Sequence, residues 1–516
     1  MAGSKKKKQS LTLVLLLIAL IVLIGACFWL LKYNEKKDSK KDESDSETIL
    51  KLDEDSIEKI YFKNKDTEMT LVKGDDDKWI YTDDKSFPVN QTYADNMSKA
   101  FTKLTSTRTL EEGVDNLSDF GLDDPAILVV VTDKDGNETK LCIGSEVPVT
   151  GGYYATVNDD GKVYVISSSV YDNFDHDKIE MTEVESLPTI TSSNITHLLV
   201  EKKDEPNFEI QYDESDNANA TSEFAGISNW TLKQPYKTPI TAESSEVTTL
   251  LKNYSELSFT SCVDYNAKDL SKYGLDDPAA RVYLEYYEIY TKESDSSEDD
   301  TKDSTDTTDT EDDTTRVDYT LELLIGNKTE DGDYYAKTSD SNAVHIMSAS
   351  TVENIINIDA FSIASHYLSL VKIDSVDKVD INVEGKTYTL SIDRTEKTSD
   401  EQTDESSDDS DEQTETYYFN GKEVKESPFK KLYQTIITPT AEREIPEEYF
   451  NNNKEQAPYM TLTFYLTNGD TVKISYKPYD DSYFVANTNG IEYFLTDLRQ
   501  VKDITNALES FTGKEK

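Results

Sequence analysis

Two carboxylate pairs, Asp123-Asp124 and Asp276-Asp277, are the first residues here whose type and spacing suggest chemistry. Adjacent aspartates on a turn could hold a divalent cation. Calcium, however, takes about six to eight oxygens, and two neighbouring carboxylates supply few of them. The run Asp133-Lys134-Asp135-Gly136-Asn137-Glu138 looks superficially like a calcium loop, but its glycine is misplaced for an EF-hand and suits a hairpin turn instead. His176, His197, His345 and His366 are scattered, without HExxH or a CxxC partner, so no zinc site is expected. No nucleophile elbow, phosphate-binding loop or dinucleotide fingerprint occurs in the sequence. With 102 acidic residues, a glycosidase pair could be drawn almost anywhere and therefore carries no weight. The residues predict no catalytic group, no cofactor and no metal.

The charge excludes more than it suggests. The chain has 516 residues, 53 basic against 102 acidic, and a formal charge of −49. A phosphate backbone would be repelled, so no nucleic-acid partner is expected. Lying flat on an anionic lipid surface is disfavoured for the same reason. Apolar content is 36%, yet 32 tyrosines and 17 phenylalanines supply enough surface for real cores. Cys142 and Cys262 could form one bridge in an oxidising compartment, but they are no disulfide framework, and Cys142 aligns with Leu324 in a strand, which points to a buried apolar role.

The acidic pairs belong to a larger repeat. Asp119-Phe120-Gly121-Leu122-Asp123-Asp124-Pro125-Ala126 returns as Lys272-Tyr273-Gly274-Leu275-Asp276-Asp277-Pro278-Ala279. Upstream, Lys78-Trp79-Ile80 answers Asn229-Trp230-Thr231. Downstream, Ile143-Gly144 answers Ile325-Gly326, Tyr153-Tyr154-Ala155 answers Tyr334-Tyr335-Ala336, and Val163 to Ser167 answers Val344 to Ser348. Matched blocks in one order indicate duplication. A fainter third copy begins where Ser375 to Ile381 echoes Ser56 to Phe62, and has Tyr449 to Pro458 in place of the signature. In this setting Gly121 and Gly274 read as positive-φ turn residues, Leu122 and Leu275 as pegs into a core, Asp123 and Asp276 as turn caps, and Pro125 and Pro278 as openers of the next strand.

Periodicity supplies the elements that carry these turns. Ile57, Ile60, Phe62, Met69, Leu71 and Trp79 fall in short alternating runs, which read as strands. Tyr93, Met97, Phe101 and Leu104 have helical spacing, as do Val247, Leu250, Leu251, Tyr254 and Leu257. Hairpins are expected at Asp135-Gly136-Asn137 and Asp159-Asp160-Gly161. The predicted class is α+β: three tandem repeats, each a meandering antiparallel sheet with one main helix, at 49–180, 190–363 and 370–511. Two acidic inserts, 291–316 with net charge −8 and 395–416 with net charge −9, are expected as disordered tracts at hairpin tips.

The N-terminus predicts a tether. Leu11 to Leu31 is a charge-free run of 21 residues, enough for a hydrocarbon core of about 30 Å at about 1.5 Å per residue. Lys5 to Lys8 place residues 1–10 in the cytoplasm, with a polar stalk at 32–48 and the bulk outside the cell membrane. The alternative is a lipoprotein signal: Ile24-Gly25-Ala26-Cys27 resembles a lipobox, in which Cys27 would be acylated. The apolar run continues through Leu31, which favours the helix.

The tryptophan, helix, (F/Y)GLDDP, IG and YYA blocks resemble the bacterial family known as domain of unknown function 4340, most specifically at Phe120–Pro125 and Tyr273–Pro278. The resemblance covers nearly the whole region beyond the anchor, although the third unit lacks the signature. It implies a membrane-tethered or secreted protein, some members being encoded beside ABC-type transport systems, including gliding-motility-associated ones. It offers no catalytic residue to carry over. The expected function is a membrane-anchored extracytoplasmic, non-catalytic scaffold with a membrane-protein partner such as ABC transporter subunits. The alternatives are an envelope module that binds glycan or peptide, and an unrecognised hydrolase.

Overall fold

The computed structural model describes residues 46–111, 116–148, 151–213, 228–291, 314–368, 370–396, 413–452 and 456–511. The anchor segment 11–31, Cys27, most of the stalk and the inner parts of both acidic tracts lie outside them. Among the described residues, no helix is long and apolar enough to cross a membrane.

The structure is α+β, built on antiparallel sheets. From edge to edge the first sheet runs Trp79–Tyr81, Glu68–Lys73, Ile57–Lys63, Ile127–Asp133, Glu138–Glu146, Tyr153–Val157, Val163–Ile166 and Arg108–Leu110. The second starts with Ile240–Thr241, Trp230–Gln234, Phe208–Tyr212, Ile195–Lys202, Ala280–Thr291, Thr314–Lys328 and Tyr334–Thr338. The third runs Lys422–Val424, Gln413–Phe419, Lys386–Glu396, Val376–Val383, Met460–Leu466, Thr471–Pro478, Tyr483–Thr488, Ile491–Asp497 and Arg443–Glu444. This order corrects the expectation of a plain meander. Each sheet joins two hairpin runs at its centre, where Ile57–Lys63 lies beside Ile127–Asp133 and Val376–Val383 beside Met460–Leu466. In the first and third sheets the chain between these runs forms the main helix and then a short strand at the far edge.

One backbone irregularity recurs in all three sheets. Apolar residues stand three apart and then two apart at Ile57, Ile60 and Phe62, which strict alternation would not allow. The ladder shifts register between Ile57 and Lys59, between Ile195 and His197, and between Val376 and Lys378. A bulged residue at each point returns both flanking apolar side chains to the core face.

The helices bury a stripe at i, i+3, i+4 and i+7. In Gln91–Thr102 it is Ala94, Met97, Ser98 and Phe101, and in Glu426–Ile437 it is Phe429, Leu432, Tyr433 and Ile436. Asn90 caps the first, its side chain accepting from the Tyr93 amide. The expected helix from Val247 to Leu257 is shorter: Ser244–Leu251, followed by a 3₁₀ turn at Lys252–Tyr254. Second helices that periodicity did not suggest follow the last strands, at Ser168–Asp172, Ala349–Ile356 and Leu498–Ser510.

The hairpin strands reach into both acidic tracts. Thr291 pairs with Thr314 and Tyr290 with Thr315, while Glu396 pairs with Gln413 and Thr395 with Thr414. The ends of 291–316 and 395–416 are therefore strand, a correction to the tract boundaries. The chain divides into two compact units: Met1–Glu185 with Thr260–Ala267 and Ala343–His345, and Ser186–Phe259 with Lys268–Asn342 and Ile346–Lys516.

Candidate functional site

The signature turns are packing devices with an exposed acidic lip. Leu117–Phe120 forms a 3₁₀ turn that ends on Gly121 at φ 68°, and Leu270–Tyr273 ends on Gly274 at φ 69°. The Leu122 amide donates to the Leu117 carbonyl and the Leu275 amide to that of Leu270, each at 3.0 Å, which closes the turn. Leu122 and Leu275 are buried, whereas Asp123, Asp124, Asp276 and Asp277 are exposed. Pro125 and Pro278 lead into Ile127–Asp133 and Ala280–Thr291. The Phe120 ring stands edge-on to Tyr154 at 5.0 Å, and Tyr273 to Tyr335 at 5.1 Å.

Each turn presses on the glycine of the IG block. A Cβ on Gly144 would lie 2.3 Å from the Phe120 carbonyl oxygen, and one on Gly326 would lie 2.2 Å from that of Tyr273. The ladder bulges at the same place, between Ile143 and Glu146 and between Ile325 and Lys328. Two sequence blocks that recur together are thus two halves of one contact. Pairing register puts Tyr476 of the third sheet opposite Met460, as Ile143 is opposite Ile127, so Lys477 takes the glycine's place. There the ladder to Tyr483–Thr488 runs without a shift, and Lys477 pairs with Glu492 at 2.5 Å. The third sheet has neither the signature sequence nor the glycine. Among the described residues, no group of three or more His, Cys, Asp or Glu could hold a metal ion. Lys203 Nζ pairs with Asp277 at 2.5 Å.

The four histidines stand in separate settings. His197 Nε2 is 3.1 Å from Glu209, and its Nδ1 is 3.7 Å from Glu285. Gln234 donates to Glu209 and Tyr283 to Glu285, so this carboxylate-flanked imidazole is tied into a ladder across four strands. His176 stacks on Tyr93 at 4.1 Å, and His366 on Phe361 at 4.4 Å. His345 is buried with Nε2 3.2 Å from Glu185, and burial lowers its pKa despite that carboxylate. The folded pKa lies below the unfolded value of about 6.5, so this stabilisation is present above that pH and is lost as pH falls through it. Between pH 7 and 5 the first compact unit should weaken by at most about 1.4 kcal/mol per pH unit from this proton. Urea midpoints at pH 7, 6 and 5 check it: His345→Gln should flatten the slope, and an unchanged slope would contradict the assignment.

Cys142 and Cys262 are free and buried, and burial raises both thiols, Cys262 to about 11. Neither is placed as a reactive nucleophile.

One surface stands apart in this acidic chain. A groove of about 380 Å³ is lined by the apolar Leu370, Val371, Ile373, Tyr433 and Ile437 together with Lys372, Lys430 and Gln434. The Tyr433 hydroxyl donates to the Val371 carbonyl at 2.9 Å and so fixes one wall. Beside it a depression of about 700 Å³ is lined by Lys425, Glu426, Ser427, Lys430, Lys431 and Gln434. Lys430 pairs with Glu426 at 2.6 Å and lies over the Tyr417 ring at 5.7 Å. Sequence reading missed this cluster because only tertiary packing brings Lys372 beside Lys425, Lys430 and Lys431. The one available signal was Lys430-Lys431 on the polar side of the helix.

A family model described as Domain of unknown function (DUF4340) matches the chain twice, at residues 79–225 and 230–436. The matches start at Trp79 and Trp230, equivalent points in the first two sheets, so the family unit is offset from the sheet and runs into the next one. No curated protein matches the chain, and no solved structure matches it. The two matches together span more than half the residues, and the chain belongs to the DUF4340 family.

Proposed function

We propose that this protein is a membrane-anchored, extracytoplasmic, non-catalytic scaffold that serves a membrane complex. The partner class is the one the family resemblance implies, an ABC-type transport system. The observation that carries the reading is that the residues recurring between the first two sheets, Gly121 with Gly144 and Gly274 with Gly326, are spent on packing the sheets. Duplication of this kind multiplies surface and leaves the chemistry of any one site undefined, which suits docking. The tether is Leu11 to Leu31, with the N-terminus cytoplasmic. The third sheet is a third copy of the unit: it shares the bulge at Val376 to Lys378 and the hairpin order, and lacks the signature turn together with its partner glycine. The test is purification of the full chain from detergent-solubilised membranes. A stoichiometric membrane-protein partner is expected, and recovery of the chain alone under several mild detergents would contradict the reading.

A second reading, an envelope module that binds glycan or peptide, draws support from the groove between Leu370–Ile373 and the Glu426–Ile437 helix. A glycan array with the full chain separates the two.

A further inference from the structure

The central hairpin of the second sheet outruns its sheet. In the first sheet Asp133, opposite Ile57, closes its turn at once, its amide donating to the Asn137 carbonyl at 3.0 Å. In the third, Leu466 stands opposite Val376, and its amide donates to the Asp470 carbonyl at 2.9 Å. The equivalent residue of the second sheet is Tyr286, opposite Ile195. There the two strands continue for five more pairs, from Tyr287 with Asp318 to Thr291 with Thr314. At about 3.4 Å per residue this is a two-stranded ribbon of about 17 Å.

Alternation along the strands divides the ribbon's side chains between two faces. One carries Tyr287, Ile289, Arg316 and Asp318, the other Glu288, Tyr290, Val317 and Tyr319. Ile289 is 58% exposed, Tyr290 47% and Tyr319 36%. Large apolar side chains are otherwise exposed only singly among the described residues, so this concentration marks an interaction surface. The first face already holds a cation. The Arg316 guanidinium lies over the Tyr287 ring at 4.1 Å, and its Nε donates to Asp318 at 2.8 Å. The second face repeats the receiving half of that contact. It offers the rings of Tyr290 and Tyr319, whose hydroxyls meet at 3.0 Å, and the Glu288 carboxylate, which accepts from the Tyr290 hydroxyl. No lysine or arginine of the ribbon stands on that face.

We propose that this second face docks an arginine-bearing basic segment of a partner protein. A planar guanidinium can stack on a ring and reach a carboxylate at the same time, as Arg316 does, whereas a lysine is a point charge on a flexible stem. Charge selects the guest: the chain carries a net −49, and the sequence joining the two strands, 292–313, has eleven acidic residues against two basic. A basic segment is drawn to this ribbon and an acidic one is repelled. The inference deepens the docking reading above and rests on it, since it names the chemistry of the partner at one surface.

The probe is a labelled peptide of arginine alternating with glycine, titrated onto the full chain in nonionic detergent micelles beside its lysine counterpart. The arginine peptide should bind more tightly than the lysine one and weaken with salt. Tyr290→Thr combined with Tyr319→Thr keeps the charge and the strand preference while removing both rings. It should weaken binding about tenfold and leave the circular-dichroism spectrum unchanged. Tyr290→Phe with Tyr319→Phe keeps the rings and should keep most of the binding. Equal binding by the threonine variant, or no preference for arginine over lysine, overturns the proposal by reducing the attraction to bulk charge. A dimer of the full chain lost in the threonine variant assigns the face to a second copy, and binding of a chitin oligosaccharide in place of the peptide assigns it to a glycan. Either outcome also overturns it. A membrane partner recovered as well by the threonine variant as by the wild type overturns this face alone and leaves the docking reading standing.

Discussion

Gly326→Ala should destabilise the second compact unit by roughly 2–3 kcal/mol, the upper range for forcing atoms into a packed site. The added methyl would meet the Tyr273 carbonyl oxygen at 2.2 Å, and a backbone atom cannot rotate away as a side chain can. The signature turn must lift off its strand, pulling Leu275 from its pocket and the Tyr273 ring from Tyr335. Gly144→Ala should do the same in the first unit, against the Phe120 carbonyl at 2.3 Å. Lys477→Gly, at the equivalent place in the third sheet, should cost about 1–2 kcal/mol, because it removes a largely buried ion pair with Glu492 and puts glycine in a strand, but introduces no clash. Calorimetry of the full chain reads all three. Midpoints should fall by about 5–10 °C for the two alanine variants, at roughly 2–4 °C per kcal/mol. Equal, small shifts for all three would show that the turn and the glycine are not one contact.

The second large effect is expected at Tyr236, which joins the second and third sheets inside one compact unit. Its ring is buried, 4.9 Å from Tyr493 and 5.7 Å from Phe494, and its hydroxyl donates to Glu444 at 2.5 Å. Burial and that carboxylate both push the phenol's pKa up, so it stays a donor at any physiological pH. The Thr238 amide donates to the Tyr493 hydroxyl at 2.6 Å, Tyr367 bridges Thr440, the Ala441 amide donates to the His366 carbonyl at 2.7 Å, and Phe361 lies 5.5 Å from Phe494, with Tyr236 and Phe494 the buried aromatics of the junction. Tyr236→Ala should cost about 3–5 kcal/mol, as truncation of a buried aromatic does. Much of that loss falls on coupling between neighbours, as in other repeat arrays. Urea unfolding of this unit should split into two transitions, whereas Tyr236→Phe should keep one and cost about 1–2 kcal/mol for the hydrogen bond to a charged acceptor. A single transition in the alanine variant would mean that the sheets are coupled elsewhere.

The α+β class, the matched blocks and the hairpins were legible because each rests on local chemistry. Gly136 and Gly161 adopt φ of 83° and 79°, as their turns require, and Trp79 is buried with its indole donating to Asp95. Strand order was not legible. Arg108–Leu110 and Arg443–Glu444 span only three and two residues, too short for any periodicity, and only tertiary pairing makes them edges. The acidic tracts hid the ends of their hairpins for a related reason. Thr314 to Arg316 reads as polar coil, yet its partners Ile289, Tyr290 and Thr291 hold it in a ladder. The acidic signature invited a metal reading; within the turn Gly121 reverses the chain, Leu122 anchors it, and Asp123 and Asp124 face solvent.

The tether is the claim on which the rest of the functional account depends, and sidedness measures it most directly. Membranes from cells expressing the full chain should retain it through alkaline carbonate washing, and protease added outside intact spheroplasts should remove residues 46–511 while sparing a short N-terminal fragment. A chain recovered in the soluble fraction, or one shielded from external protease, would contradict it.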